Sequence, residues 1–150
     1  MDTKFKKAIT DLSRYLFVLL FLYTAANKIW KFHNFEWVLG TLPLIGKYHM
    51  LIAYAVPSAE ILASALLLIN STRKYGLITS FLLMFTFSSY LIFMVFYAKD
   101  LPCNCGGVIS QLSWNQHIIF NLFFLILSVI ALKLDDEKKS NRLIKQTSHR

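Results

Sequence analysis

Apolar positions in this chain fall into four long blocks, separated by short polar or basic stretches. The first, built around "YLFVLLFLYTAA", runs roughly from Leu12 to Ile29. The second runs from Met50 to Ile69, the third from Gly76 to Ala98 and the fourth from Trp114 to Leu132. Each is about 18–23 residues long, enough to cross a bilayer core at ~1.5 Å per residue. Backbone groups in hydrocarbon must be bonded within their own segment, so each block predicts a helix. The pattern therefore predicts an all-α integral membrane four-helix bundle over residues 1–132. The polar, basic tail "KLDDEKKSNRLIKQTSHR" follows over 133–150 and is expected to be mobile.

The connections differ in kind. The second and third blocks are joined by a tight turn, "NSTRKYG". Lys31 to His49 form a longer connection containing "FEWVLGTLPLIG", apolar but broken by Gly40, Pro43 and Gly46. Such a segment suits the membrane surface or the mouth of the bundle. The first block also has features of a cleaved signal peptide, with Lys4, Lys6 and Lys7 ahead of the apolar run and "TAA" as a cleavage site. A helical anchor is simpler, because the basic region is long and three further spans follow.

Composition strengthens this picture. Of 150 residues, 56% are hydrophobic and only 16% charged, which excludes an ordinary soluble domain. Mean hydropathy is +0.51. The length allows one domain. The net charge of +8 does not indicate nucleic-acid binding, because the basic residues sit at the ends and in short connections. They report orientation in the bilayer instead. With the N-terminus in the cytoplasm, twelve of the sixteen Lys and Arg residues lie inside and only Lys28, Lys31, Lys47 and Lys99 outside. Both termini are then cytoplasmic. In a bacterial inner membrane the connection after the third span faces the periplasm.

Two spans carry polar groups that hydrocarbon does not tolerate cheaply. Glu60 falls near the middle of the second, in "VPSAEILAS", three residues after the helix-perturbing Pro57. A lone carboxylate there costs about 2.5–3.5 kcal/mol, so it should face the bundle interior. It is either a proton carrier or substrate partner, or a hydrogen-bonded structural residue. Lys28 at the end of the first span is its nearest candidate counter-charge, unless it reaches out to the headgroups. In the fourth span, Ser113 and Gln116 fit a capping box that starts the helix. Trp114, His117 and Asn121 then share one face. His117 is a candidate for tuning a nearby thiol, since an imidazolium beside a thiol raises its thiolate fraction. Equally, the three residues could be an interfacial Trp with polar side chains that pin helices together.

Both cysteines lie in "KDLPCNCGGVISQLSWNQH", between the third and fourth spans. An intramolecular disulfide is therefore Cys103–Cys105 or none. A bridge across one residue closes a strained ring, makes a poor staple and is easily reduced. It suits a reactive couple better than a structural one. Gly106 and Gly107 allow the tight backbone such a ring needs. A metal held by both thiolates and His117 is a rival reading, weakened by the absence of a second Cys or His pair. Two inert cysteines are another.

Three stretches carry a family likeness: "LYTAANKIWKFHNFEWVL" with Lys28 and Phe35, "VPSAEILASALLL" with Pro57 and Glu60, and "LPCNCGGVISQLSWNQHIIFN" with Cys103, Cys105, Gly106, Gly107, Trp114, His117 and Asn121. Through them the chain resembles the MauE/DoxX-like redox-associated membrane proteins, nearest to the MauE type, over most of residues 12–132. It departs from them at Ala25–Ala26, where relatives often have a small residue with glycine. The resemblance implies a four-helix membrane bundle similar in plan to membrane disulfide-forming enzymes that use quinones. MauE is associated with maturation of methylamine dehydrogenase, whose small subunit is rich in disulfides.

Taken together, the expected function is thiol–disulfide redox chemistry that supports disulfide formation or maturation of exported proteins. Cys103 and Cys105 exchange with a periplasmic thioredoxin-like partner, one attacking and the other resolving. His117 tunes the pair, and Glu60 manages protons if electrons pass to a quinone. Trp114, Asn121 and Lys28 are candidate cofactor contacts, and no metal is assigned. The alternative is a non-enzymatic membrane accessory or assembly subunit. A small proton-coupled transporter is a third reading, disfavoured by the lack of an inverted repeat.

Overall fold

The computed structural model describes residues 3–42, 44–97 and 114–147. The segment 98–113, with Cys103, Cys105, Gly106, Gly107 and the cap candidate Ser113, lies outside the described residues. Five helices occur among those described: α1 (Thr3–Trp30), α2 (Phe32–Thr41), α3 (His49–Leu68), α4 (Arg73–Tyr97) and α5 (Trp114–Thr147). A 3-10 turn, Gly46–Tyr48, leads into α3. Helices α1, α3, α4 and α5 are each long and apolar enough to cross a membrane. Helix α1 packs on α3 and α5, α3 packs on α4, and α4 packs on α5, which closes a four-membered ring.

The buried positions follow the spacing of packed helices. On α3 they are Ala53, Pro57, Glu60, Ser64 and Leu67; on α5, His117, Asn121, Phe124, Ser128 and Ala131. Steps of three and four keep one stripe against the neighbouring helix. These stripes are rich in small and hydroxyl residues, and Ser13, Ser64, Ser80 and Ser128 are almost fully buried. Large side chains such as Leu19, Leu51, Leu62, Ile119 and Phe123 point outward instead. In water this arrangement would be inside out. In a bilayer it is stable, because lipid is as apolar as leucine and close contact between backbones holds the helices together. These four hydroxyls bond within their own helices, as when Ser64 Oγ donates to the Glu60 carbonyl at 2.9 Å and Ser80 Oγ to the Gly76 carbonyl at 2.8 Å. A larger apolar cluster around Phe17, Phe21, Leu67, Leu77 and Phe124 fills the middle.

One end of the bundle is tied by charge. Lys6 Nζ donates to Glu137 Oε2 at 2.5 Å, Lys74 Nζ donates to Asp136 Oδ1 at 2.6 Å, and Arg73 pairs with Asp135. Arg14, buried on α1, donates to the Leu68 carbonyl at 2.7 Å and to Asn70 Oδ1 at 2.9 Å. A cation on the last carbonyls of α3 offsets the negative end of its dipole. The tight "NSTRKYG" turn brings α4 so close to α3 that a Cβ on Gly76 would lie 2.7 Å from the Leu67 nitrogen.

The structure adds to the expectation drawn from pattern in two places. Helix α5 does not stop at Leu132 but continues to Thr147. Residues 133–147 contain no glycine or proline, and Asp135, Asp136 and Glu137 are held by cations from α1 and α4. The apolar connection after α1 is a helix, α2, which buries Phe35, Val38 and Leu39. It packs on the first half of α3, at the end of the bundle opposite the ionic ties.

Candidate functional site

Lys28 occupies the last turn of α1 and Glu60 lies well inside α3. Their side chains meet: Lys28 Nζ donates to Glu60 Oε1 at 2.7 Å. Both are withdrawn from the surface, at 7% and 1% exposure. The counter-charge reading of Lys28 therefore holds over the headgroup one. Neither charge would be tolerated unpaired when buried in this way, and pairing offsets part of the cost of withdrawing both from water.

Two further helices close on the pair. The Lys28 ammonium lies 5.8 Å from the ring centroid of Phe35 on α2 and 5.8 Å from that of Phe87 on α4. Aromatic faces at this range attract a cation and shield it from solvent. Thr24, one turn before Lys28 and on the same face, stands beside the Glu60 carboxylate. Its hydroxyl donates to the Phe21 carbonyl at 3.2 Å. Glu60 Oε2 has no hydrogen-bond partner among the described residues. Lys28 thus engages one oxygen of the carboxylate, and the Thr24 side chain stands beside the group.

Pro57 reinforces this side of the site. It sits inside α3, buried, one turn before Glu60. Lacking an N–H, it leaves the Ala53 carbonyl without its usual helical donor. A cavity of about 330 Å³ opens beside it, lined by Ile29, Phe32, Ala53, Tyr54, Pro57 and Ile61 among others. That volume is at the small end of ligand sites, and the lining is mostly apolar.

The other polar residues singled out in the sequence are on α5 (Trp114–Thr147), and the cap candidate Ser113 lies outside the described residues. His117 and Asn121 are both buried, at 4% and 5% exposure. Asn121 Nδ2 donates to the His117 carbonyl at 2.9 Å, one turn back. Cys103 and Cys105 lie outside the described residues. Helix α4 ends and α5 begins at the end of the bundle that also carries α2 and Lys28.

Sequence reasoning named Lys28, Glu60, His117 and Asn121, and the structure joins the first two directly. It missed Phe87 and Thr24. The four-residue step from Thr24 to Lys28 could have revealed the latter. Nothing in the pattern of α4 distinguishes Phe87 from its many aromatic neighbours.

Searches of curated proteins and of solved structures returned no match. A family comparison did: residues 6–134 match the family model of methylamine utilisation protein MauE. The matched region begins near the start of α1, contains both members of the buried ion pair and runs to the end of the fourth span. On that coverage the chain belongs to the MauE family of membrane proteins.

Proposed function

We propose that this protein is a membrane thiol–disulfide redox protein that supports disulfide formation in, or maturation of, exported proteins. The observation that carries the reading is the placing of both cysteines, as C-x-C-G-G, in the connection between α4 and α5. Those two helices approach that connection at the end of the bundle where the Lys28–Glu60 pair and His117 stand. With both termini in the cytoplasm, this end faces the periplasm of a bacterial inner membrane. There a C-x-C bridge is maintained and meets thioredoxin-like partners.

A thiolate of the reduced partner attacks one sulfur of the Cys103–Cys105 disulfide and releases the other as a thiolate. The partner's second thiol then attacks the partner sulfur of the mixed disulfide. The partner leaves as a disulfide, and Cys103 and Cys105 hold the two electrons and two protons as thiols. His117 stabilises the thiolate formed nearest α5. Reoxidation requires an acceptor of two electrons and two protons, and a membrane quinone is the class that provides this. Support for such a group is the apolar cavity beside Pro57, one turn from Glu60, although Glu60 itself is not part of the cavity lining.

The second reading, favoured by the family description, is an accessory or assembly protein of methylamine utilisation with no redox turnover of its own. Thiol labelling of intact cells separates the two. On the redox reading Cys103 and Cys105 are tagged only after reduction, and Cys103→Ser and Cys105→Ser each leave exported disulfide proteins under-oxidised. Free labelling without reductant, with both variants behaving as wild type, would rule out redox turnover and leave the accessory reading.

A further inference from the structure

Helix α2 covers the site, and its attachment has an unusual feature. Phe35, Leu39 and Ala53 form a small core with Phe32, Leu42, Ile45 and Ile52, and the Phe35 ring faces Lys28. Outside this core, α2 meets the first residue of α3 through a polar contact: Glu36 Oε1 lies 3.2 Å from His49 Nε2. The other nitrogen of the same ring, Nδ1, lies 2.7 Å from the Gly46 carbonyl oxygen. Gly46 is pressed against α2, where a Cβ would come 2.7 Å from the Gly40 carbonyl oxygen, so the turn under the ring has little room to shift.

Hydrogen counting then constrains the contact. A backbone carbonyl only accepts, so Nδ1 must carry a hydrogen. A carboxylate also only accepts, so Nε2 needs one too. Neutral imidazole has one hydrogen for two acceptors. The arrangement closes only when an additional proton is present, either on the ring or on the carboxyl. Without it, a lone pair on Nε2 faces a negative oxygen at 3.2 Å.

We propose that Glu36 and His49 form a proton-operated latch that fastens α2 over the Lys28–Glu60 site. The closed form holds one more proton than the open one, so acid favours closure and alkali favours release. Among the described residues, the other ionisable groups on the elements packed here do not substitute for it. His33 is fully exposed, with Nδ1 3.8 Å from Glu36 Oε2. Lys31, Lys47, Tyr48 and Tyr54 are exposed, and Lys28 is engaged by Glu60. Among the described residues no three His, Cys, Asp or Glu side chains are placed to hold a metal ion. The latch does not depend on the chemistry of the cysteines. It makes access to the buried pair respond to the pH of the compartment that bathes α2.

Hydrogen–deuterium exchange of the full-length protein in lipid nanodiscs tests this, read on α2 at about pH 5.5 and about pH 8 and corrected for intrinsic rates. In wild type, protection of α2 falls about tenfold between the two, the loss expected for one charge-assisted hydrogen bond. Glu36→Gln gives the neutral ring a hydrogen from its amide, so α2 stays protected at both values. His49→Gln also removes the pH dependence, while His33→Gln keeps it. PH-independent exchange in wild type overturns the proposal. So does a His49→Gln protein that retains the wild-type response, or loosening of α2 by a metal chelator at acid pH.

Discussion

Lys28 on α1 and Glu60 on α3 form a 2.7 Å ion pair, with both side chains buried between four helices. Breaking one side strands a charge that is buried away from the surface. Lys28→Met and Glu60→Leu should each lower stability by about 3–5 kcal/mol. The double variant should recover most of that loss, because no charge is left behind. Equilibrium unfolding in mixed detergent micelles checks the pattern; additive losses in the double variant would show that the two residues act independently.

Gly76 is where α3 and α4 come closest. A Cβ there would lie 2.7 Å from the Leu67 nitrogen and 2.9 Å from the Leu66 carbonyl carbon, both backbone atoms that cannot swing aside. Gly76→Ala should therefore cost about 1–3 kcal/mol through forced separation of the two helices. The gain in helix propensity of alanine offsets at most about 1 kcal/mol of this. A thermal-shift assay in detergent reads the difference.

The ionic ties at the other end are not equivalent. Arg73 and Asp135 are 17% and 12% exposed, whereas Lys74 and Asp136 are 46% and 57% exposed. Asp136→Asn should change stability little and matter less still in high salt. Asp135→Asn should cost more and keep most of its effect at high salt, since the partner guanidinium is left largely out of water. A salt series of the two variants gives the ranking.

Lys6 and Glu137 bring the start of α1 and the extension of α5 to the same end of the bundle. Which side of the membrane that end occupies follows from the distribution of Lys and Arg. In a Cys103→Ser, Cys105→Ser background, Lys31→Cys should react with a membrane-impermeant maleimide in intact cells. Lys74→Cys should react only after permeabilisation. The reverse labelling would invert the orientation and put the α4–α5 connection in the cytoplasm.

The four spans were legible because a membrane helix is announced by length and hydropathy, which are local quantities. Glu60 was legible for the same reason, as a carboxylate within a run that otherwise lacks charge. Helix α2 was harder to read. Its ten residues are too few to span, and glycine and proline follow closely. It is stabilised by burying Phe35, Val38 and Leu39 against α3, which no local pattern records. The continuation of α5 past Leu132 was hidden similarly. A polar sequence with good helix formers resembles a tail until partners for Asp135, Asp136 and Glu137 are found on other elements.

By itself the sequence determined how many times the chain crosses the bilayer, which helix face each polar residue occupies, and that the only two thiols share one connection. Periodicity and hydropathy suffice for these, because each depends on residues within a few turns of one another. The tertiary structure decided which polar residues meet. Lys28 and Glu60 are 32 positions apart, and Phe87 reaches the same ammonium from a third helix. Glu36 and His49 face each other only because α2 folds back onto α3. Spacing along a chain sets the face of a helix, but not its rotation or depth beside a neighbour; those follow from packing small residues such as Ala25, Ser64 and Gly76 into the least volume.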